Sequence, residues 1–299
     1  MRLRADKYEV LLITSSFIWG TSFVASKIGV GQLDPFLFAM LRFLIAAPVL
    51  LLVAYLLTDF DLKIFKDPLI WGIGVLNAVG LVMQNVGMTQ TTATNAVLLV
   101  DINVIYVAVL AAVILKERLT KYTILGLVIG LMGVGIVATG GDMSQIMSGS
   151  FVGNLIVLGA GFVWAFYIVY QKKALNQHPD ILMMTSSVIV VTAITSIPLA
   201  LIFSKSWAIT NEGIYATLYV ALICTGVAFM LYIAGLKGKG ALDSSIILLL
   251  EIVFAMLFAF LLLGEVPTIA TAIGGFFIVL AIIFVSIQEN GKKNKERAG

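Results

Sequence analysis

The strongest constraint on the fold is a succession of apolar blocks, each about 20 residues long, separated by short polar stretches. A helix of that length rises about 1.5 Å per residue and crosses the roughly 30 Å hydrocarbon core of a bilayer. Of all residues, 61% are hydrophobic and 12% are charged, whereas about 25% of the residues of a soluble domain are charged. The chain is therefore predicted to be an all-α integral membrane protein, because transmembrane β-barrels show short alternating segments instead.

Ten transmembrane helices are predicted from these blocks. Their approximate bounds are 10–30, 36–57, 69–88, 95–115, 122–140, 152–171, 181–203, 213–235, 243–263 and 268–287. Loops on the cytoplasmic side of a membrane are rich in Lys and Arg. With the N-terminus inside, sixteen of the 19 Lys and Arg residues lie in inner loops or tails, and Lys205 alone lies in an outer loop. We therefore expect a multi-pass protein of the cell membrane with both termini in the cytoplasm.

The second half of the chain repeats the first. The segment 98–120, LLVDINVIYVAVLAAVILKERLT, returns 148 residues later as a degraded copy at 246–268, IILLLEIVFAMLFAFLLLGEVPT. Near the start of each half, IWGTSFVASK is answered by VWAFYIVYQK at an offset of 145 residues. In this alignment Asn103 corresponds to Glu251, so the two halves are expected to contribute different chemistry at equivalent positions.

The two copies are predicted to be inverted. Five spans separate them, an odd number, so equivalent helices run in opposite directions across the bilayer. The predicted fold is therefore two inverted five-helix repeats, residues 1–145 and 146–299, the second of which ends in a short basic cytoplasmic tail. Glu117 and Glu265, at equivalent positions near the membrane borders, are expected to contact helix ends rather than substrate.

Several short motifs together resemble one transporter family. They are WGTSFVASK in span one, Pro35 followed by Arg42 in span two, and LKERLT and LGEVPT at the ends of spans four and nine. With the glycine-rich spans that follow, they resemble the EamA family of the drug/metabolite transporter superfamily over essentially the whole chain. The resemblance implies ten spans in two halves and export of amino acids or related metabolites more often than uptake. The chain departs from the family at Val104 and Ile252, where members usually have a proline that would kink the helix.

An inverted repeat places the substrate site near the bilayer midplane between the halves, so polar and aromatic groups deep in the spans are the candidates. The predicted substrate-binding residues are Trp19, Arg42, Asn77, Asp101, Asn103, Trp164, Tyr167 and Glu251. A charged carboxyl group at mid-membrane is costly, so Glu251 is expected to face a cavity, to be paired or to be protonated. Glu251 and Asp101 are the candidates for proton coupling, and a neutral, hydrogen-bonded structural carboxyl group is the alternative for Glu251.

Several candidates have a structural alternative. Asp101 and Arg42 lie at similar predicted depths, about 9 to 11 Å from the outer ends of their spans. They either form a buried ion pair, which is often structural, or contact the substrate. An unpaired Arg42 suits a substrate carboxylate, because the guanidinium group donates two parallel hydrogen bonds. Asn77 serves either the substrate or a hydrogen bond between helices. Trp164 and Tyr167 beside a carboxylate suit a cationic or aromatic solute.

The glycines of two spans, and Lys27 at the end of another, are expected to have structural roles. The glycines of spans five and ten are expected to form close-packing surfaces, either within the monomer or in a homodimer. They are Gly126, Gly130, Gly133, Gly135, Gly274 and Gly275. Lys27, at the end of span one, is expected to extend outward to the membrane surface.

Other classes of function lack a motif. The chain has no hydrolase nucleophile motif, no phosphate-binding GxxxxGK[ST] sequence and no cluster of metal ligands, since it contains one Cys and one His. We therefore expect neither an enzyme nor an ATP-driven pump, no cofactor, no metal and no nucleic-acid partner.

The predicted function is a secondary transporter that moves a small metabolite, an amino acid or a related amphipathic or cationic solute, across the cytoplasmic membrane by alternating access. Export is expected rather than uptake, and coupling to protons is left open. Its expected partners are that solute and the lipid bilayer. Uptake of a quaternary or other cationic solute is the nearest alternative. A flippase for a lipid-linked substrate is a second alternative, which would need a basic pocket for phosphate, and Arg42 is the one deep basic residue available.

Overall fold

The computed structural model describes residues 7–114, 121–141, 149–239, 244, 247–248 and 250–281, and the regular structure in these residues is helical. The α-helices are α1 (Lys7–Gln32), α2 (Pro35–Leu57), α3 (Pro68–Met88), α4 (Ala93–Asp101), α5 (Asn103–Ile114), α6 (Lys121–Thr139), α7 (Gly149–Gln177), α8 (Ile181–Phe203), α9 (Asn211–Tyr219), α10 (Ala228–Gly238), α11 (Leu250–Phe258) and α12 (Ile269–Ala281). A 3-10 helix, Leu62–Lys66, precedes α3, and π-helical segments, Val220–Val227 and Ala259–Leu263, follow α9 and α11.

Seven helices are long and apolar enough to cross a membrane, by length and composition. They include continuous runs such as Asn211–Gly238, in which α9, the π-helical segment and α10 follow one another without a break. Three further apolar helices within the described residues are shorter, 124–137, Leu250–Leu263 and Ile269–Ala281. The protein is therefore a helical multi-pass membrane protein, while the count of ten spans stays a prediction.

Aspartates determine where several helices begin. The Asp34 carboxylate accepts a hydrogen bond from Phe36 N–H at 2.9 Å, and Pro35 occupies the first helical position of α2. Asp67 caps α3 in the same way before a proline. These side chains satisfy backbone N–H groups that have no partner within the helix.

Asp67 also joins two neighbouring loops. Its Oδ2 lies 2.7 Å from Nε2 of His178, which follows the C-terminal end of α7. This hydrogen bond is the main reason why the pKa of Asp67 is lower than that of an ordinary aspartate. A lowered carboxyl pKa stabilises the folded state at neutral pH, and this contribution is lost as the pH falls through that pKa.

The fourth predicted span is interrupted at Ile102, which separates α4 from α5. Ile105 N–H donates to the carbonyl oxygen of Ile102 at 2.9 Å, an i to i−3 bond that is tighter than the α-helical one. The interruption occurs although position 104 is a valine and not a proline. It places Asp101 at the end of one helix and Asn103 at the start of the next.

The helix packing is the same when the two halves are exchanged. α3 packs along α7, and α1 packs along α9 and α10. α1 packs on α11, and α7 packs on α4 and α5, while α2 packs on α8. When the halves are exchanged, the contact of α3 with α7 becomes that of α10 with α1, and the contact of α1 with α11 becomes that of α7 with α4 and α5. The contact of α2 with α8 becomes itself. Two related halves would give this pattern, while their boundary near residue 145 and their inversion stay predictions.

Equivalent lysines also make equivalent contacts. Lys27 Nζ donates to the carbonyl oxygen of Met88 at 2.6 Å and to that of Thr91, at the end of α3. Lys172 Nζ donates to the carbonyl oxygen of Leu236 at 2.8 Å, at the end of α10. The expectation that Lys27 extends outward is therefore wrong, because the terminal carbonyl groups of α3 offer the ammonium group hydrogen-bond acceptors.

Glu265 contacts a helix end, as predicted. Its carboxylate accepts hydrogen bonds from Ala93 N–H at 2.9 Å, from Thr94 N–H at 3.0 Å and from the Thr94 hydroxyl at 2.9 Å. Ala93 and Thr94 form the first turn of α4, where a negative charge is favourable. The corresponding prediction for Glu117 lies outside the described residues.

The glycines pack two helices together within one chain. A Cβ atom at Gly133 of α6 would lie 2.7 Å from the carbonyl oxygen of Gly274 in α12, and a Cβ at Gly274 would lie 2.8 Å from that of Gly133. The two backbones are thus in direct contact. Gly135, in contrast, has open space around its Cα. A homodimer through the glycine-rich helices stays a prediction.

Gly133→Val is expected to destabilise the protein, because the added side chain must push α6 away from α12. Overpacking of this kind costs about 1 to 3 kcal/mol. The measurement is the midpoint of thermal unfolding of the purified protein in detergent. Gly135→Val is the matched control, on the same helix but facing open space, and equal shifts for the two variants would contradict the packing described here.

Glu265→Gln is expected to lower stability by about 1 kcal/mol, because glutamine brings one acceptor oxygen and no charge to the first turn of α4. The exposed carboxylate of Asp59 supplies a control, Asp59→Asn. Chemical unfolding of both variants in the same detergent measures the effect. An unchanged Glu265→Gln variant would show that the contact contributes nothing to the fold.

Candidate functional site

A partly open cavity lies between the two halves of the chain. Side chains from both halves form its wall. They are Trp19, Ser22, Phe23, Arg42, Leu81, Gln84, Val100, Asp101, Asn103, Trp164, Tyr167, Ile168, Phe229, Tyr232, Leu248 and Glu251. Polar and aromatic residues from helices far apart in sequence thus meet in one place, as a solute site requires.

Seven of the eight residues predicted from the sequence line this cavity, and Asn77 does not. Asn77 is fully buried, and its Nδ2 donates to the hydroxyl oxygen of Thr192 in α8 at 3.1 Å. The structure therefore places Asn77 in a helix-to-helix contact, the alternative considered above. The binding roles of the other seven residues stay predictions.

The lining residues are related by the internal repeat. Fourteen of the sixteen form seven pairs at the offsets of 145 or 148 residues that relate the two halves. The pairs are Trp19 with Trp164, Ser22 with Tyr167, Phe23 with Ile168, Leu81 with Phe229, Gln84 with Tyr232, Val100 with Leu248, and Asn103 with Glu251. Only Arg42 and Asp101 have no counterpart in the described wall.

Sequence reasoning missed Gln84, Phe229 and Tyr232. Each stands inside an apolar span and by itself suggests packing as readily as function. A signal was available, because the offset of 148 residues that relates Asn103 to Glu251 also relates Gln84 to Tyr232. Testing every polar residue of one half against its partner would have identified Gln84 and Tyr232.

Two carboxyl groups line the cavity. Asp101 ends α4 and is 5% exposed, and Glu251 lies in the first turn of α11 and is 8% exposed. The two groups are near enough to influence each other electrostatically, and within the described residues Oδ2 of Asp101 has no hydrogen-bond partner. Two carboxylates in a desolvated cavity repel each other, and either a proton or an organic cation between them relieves that repulsion.

Aromatic rings also line the cavity. The ring of Trp19 lies 5.1 Å from the rings of Phe229 and Tyr232, and Trp164 lies 5.0 Å from Tyr167 in an edge-to-face arrangement. Tyr167 in turn contacts Phe229 at 6.4 Å. Ring faces attract cations and pack on apolar groups. The cavity therefore offers an aromatic surface beside a pair of carboxyl groups.

Arg42 does not pair with Asp101. Within the part of the chain that the structure describes, the ion pairs are His178 with Asp67 and Lys239 with Glu9, and neither includes Arg42. Its Nε instead donates to the hydroxyl oxygen of Thr225 at 2.6 Å. The predicted structural pairing is therefore wrong, because Thr225 satisfies one guanidinium N–H and the rest of the group faces the cavity.

The fold and the cavity define a membrane transporter with a solute site between two related halves. The model of the EamA-like transporter family matches residues 6–139 and again residues 151–287. The chain belongs to this family, and it is a membrane transporter of the EamA type. The family model matches each half separately, with a junction at residues 140–150.

Similar proteins from distant organisms cover nearly the whole chain. An uncharacterized transporter of Archaeoglobus fulgidus is 27% identical over 95% of this chain and 99% of its own length. The uncharacterized transporter YdfC of Bacillus subtilis is 30% identical over 98% of this chain and 95% of its own. A crystal structure with a TM-score of 0.70 and 19% identity covers 95% of this chain and 98% of that chain, and shows the same fold.

Asn77→Ala is expected to lower stability by about 0.5 to 1 kcal/mol, the usual contribution of a hydrogen bond between membrane helices, and to leave solute binding unchanged. Asn103→Ala is the comparison, because Asn103 lines the cavity. Thermal unfolding with and without solute separates the two effects. If solute no longer stabilises Asn77→Ala against thermal unfolding but still stabilises Asn103→Ala, then Asn77 does contact the solute.

Proposed function

We propose that the protein is a proton-coupled secondary transporter that exports a small amphipathic solute with an ammonium group, of the amino acid or amine type, across the cell membrane. The observation that carries this proposal is that a pair of carboxyl groups, Asp101 and Glu251, and several aromatic rings line one cavity. The ammonium group of the solute binds at the carboxyl pair, and its apolar part packs on the aromatic rings.

Alternating access follows from the paired lining of the cavity. Equivalent residues of two related halves form the wall, so the halves can exchange their conformations and open the same cavity first to one side and then to the other.

Coupling follows from competition. A proton and an ammonium group bind the same carboxyl pair, so binding of one releases the other. Glu251 is the principal proton carrier and Asp101 its neighbour. With a proton gradient directed into the cell, exchange of one external proton for one internal solute drives export.

Orientation and location are part of the proposal. The concentration of Lys and Arg in alternate loops supports cytoplasmic termini and the cell membrane. Uptake of a quaternary or other cationic solute is the second candidate, and the aromatic rings beside the carboxyl pair favour it, because a quaternary ammonium group binds ring faces. A flippase lacks support, since Arg42 is the one basic residue of the described cavity wall.

The test is solute flux in proteoliposomes with an imposed pH gradient, using a panel of amino acids and their decarboxylated amines. Glu251→Gln is expected to lower the pH-driven flux by at least about tenfold, equivalent to about 1.4 kcal/mol, and to abolish its dependence on pH. The glutamine side chain keeps the shape but cannot exchange a proton.

Glu212→Gln is the matched control, because Glu212 is exposed in the first turn of α9 and is not one of the residues that line the cavity. Its flux is expected to equal that of the native protein. If Glu251→Gln retains native flux and native pH dependence, Glu251 is not the proton carrier.

A further inference from the structure

We propose that Arg42, held in place by Thr225, is the subsite for a carboxylate of the solute. The substrate is then a solute that carries a carboxylate as well as an amine, rather than a simple or quaternary cation. This inference rests on the proposed transport function and adds the second polar end of the solute. It also assigns Thr225, which does not line the cavity, as the residue that positions Arg42.

Arg42 is placed as an anion-binding residue. It is 3% exposed, lines the cavity and forms no ion pair with a described carboxylate. Its Nε is used by Thr225, and within the described residues its two terminal nitrogens have no hydrogen bond. These two nitrogens form one side of the guanidinium plane, which matches the two oxygens of a carboxylate.

Thr225 can only accept from Arg42. Its hydroxyl group donates its single proton to the carbonyl oxygen of Val220, five residues earlier, at 2.8 Å. The lone pairs of the same oxygen are therefore directed to Arg42 Nε at 2.6 Å. Because Thr225 accepts the hydrogen bond from Nε, it fixes the rotation of the guanidinium plane and leaves the two terminal nitrogens for a ligand.

The π-helical segment Val220–Val227 makes this arrangement and serves a second cavity residue. The carbonyl oxygen of Cys224 accepts a hydrogen bond from Nε1 of Trp19 at 2.9 Å. One irregular turn thus orients both Arg42 and Trp19 in the cavity wall. π-Helical turns occur frequently at functional sites, because they release backbone groups and shift side chains from their regular positions.

The internal repeat points to the same residue. Every other residue of the described wall is paired by the repeat with a second lining residue, whereas Arg42 and Asp101 are not. One is cationic and the other is acidic, so the departure from symmetry consists of one charge of each sign. A solute with an ammonium group and a carboxylate would bind such a cavity in one orientation, which a simple cation would not require.

The experiment compares matched probes that differ by a carboxylate: phenylalanine with phenethylamine, tryptophan with tryptamine, and leucine with 3-methylbutylamine. Their affinities for the purified full-length protein are measured by thermal shift and by calorimetry at pH 7. We expect at least one amino acid to bind about tenfold more tightly than its amine, the effect of one bidentate charged hydrogen-bonded pair.

Thr225→Val is expected to weaken binding of that amino acid by about tenfold and to leave binding of the amine unchanged, because only the carboxylate depends on the orientation of Arg42. Thr225→Ser restores the hydroxyl group and is expected to restore affinity. Thr217→Val is the matched control, since Thr217 is a buried threonine of the same span that bonds to Gly213. Arg42→Lys keeps the charge, lacks the planar group and leaves the π-helical turn intact, so it tests the subsite if Thr225→Val does not fold.

Three results would overturn the inference. Equal or tighter binding of the amines by the native protein would remove the carboxylate subsite and leave transport of a cation standing. Equal weakening of both probes by Thr225→Val, without rescue by serine, would make Thr225 a structural residue only. Absence of binding by every probe would contradict the proposed transport function itself, and the subsite with it.

Discussion

The structure depends on the cost of placing ionisable groups inside a hydrocarbon layer. A carboxylate or guanidinium group at that depth requires water, a partner or a ligand. Asp101, Glu251 and Arg42 meet this requirement by facing a single cavity between the halves. The helix interruption at Ile102 and the π-helical segment Val220–Val227 are the local irregularities that direct these groups inward.

Divergence between the two halves gives the site its chemistry. At equivalent positions of the wall, the first half supplies Ser22, Gln84 and Asn103, where the second supplies Tyr167, Tyr232 and Glu251. The repeat accounts for the position of the cavity, because residues related by it meet where the halves meet. The changes from serine and glutamine to tyrosine, and from asparagine to glutamate, account for the aromatic and acidic character of the wall. The two halves therefore contribute different chemistry to one cavity.

Much of this arrangement could be predicted from the sequence. Apolar block length predicted the helices, and the depth of polar and aromatic groups within the spans predicted seven of the residues that line the cavity. What could not be predicted was local. The sequence offers no proline at Val104, yet the helix breaks at Ile102. No pattern identifies the π-helical turn that brings Thr225 to Arg42. Asn77 was predicted to be a site residue from its depth, and depth alone does not show which way an amide faces. Side-chain direction and hydrogen-bond partners depend on packing between helices distant in the sequence.

The central claim is that a proton and the solute compete for the carboxyl pair of Asp101 and Glu251. Its most direct test is the number of protons released when solute binds to the purified protein in weakly buffered detergent, followed with a pH indicator. The account predicts about one proton released per solute bound at a pH where the pair carries one proton, and none in Glu251→Gln. Tight solute binding by the native protein without proton release at any pH between 5 and 9 would contradict it.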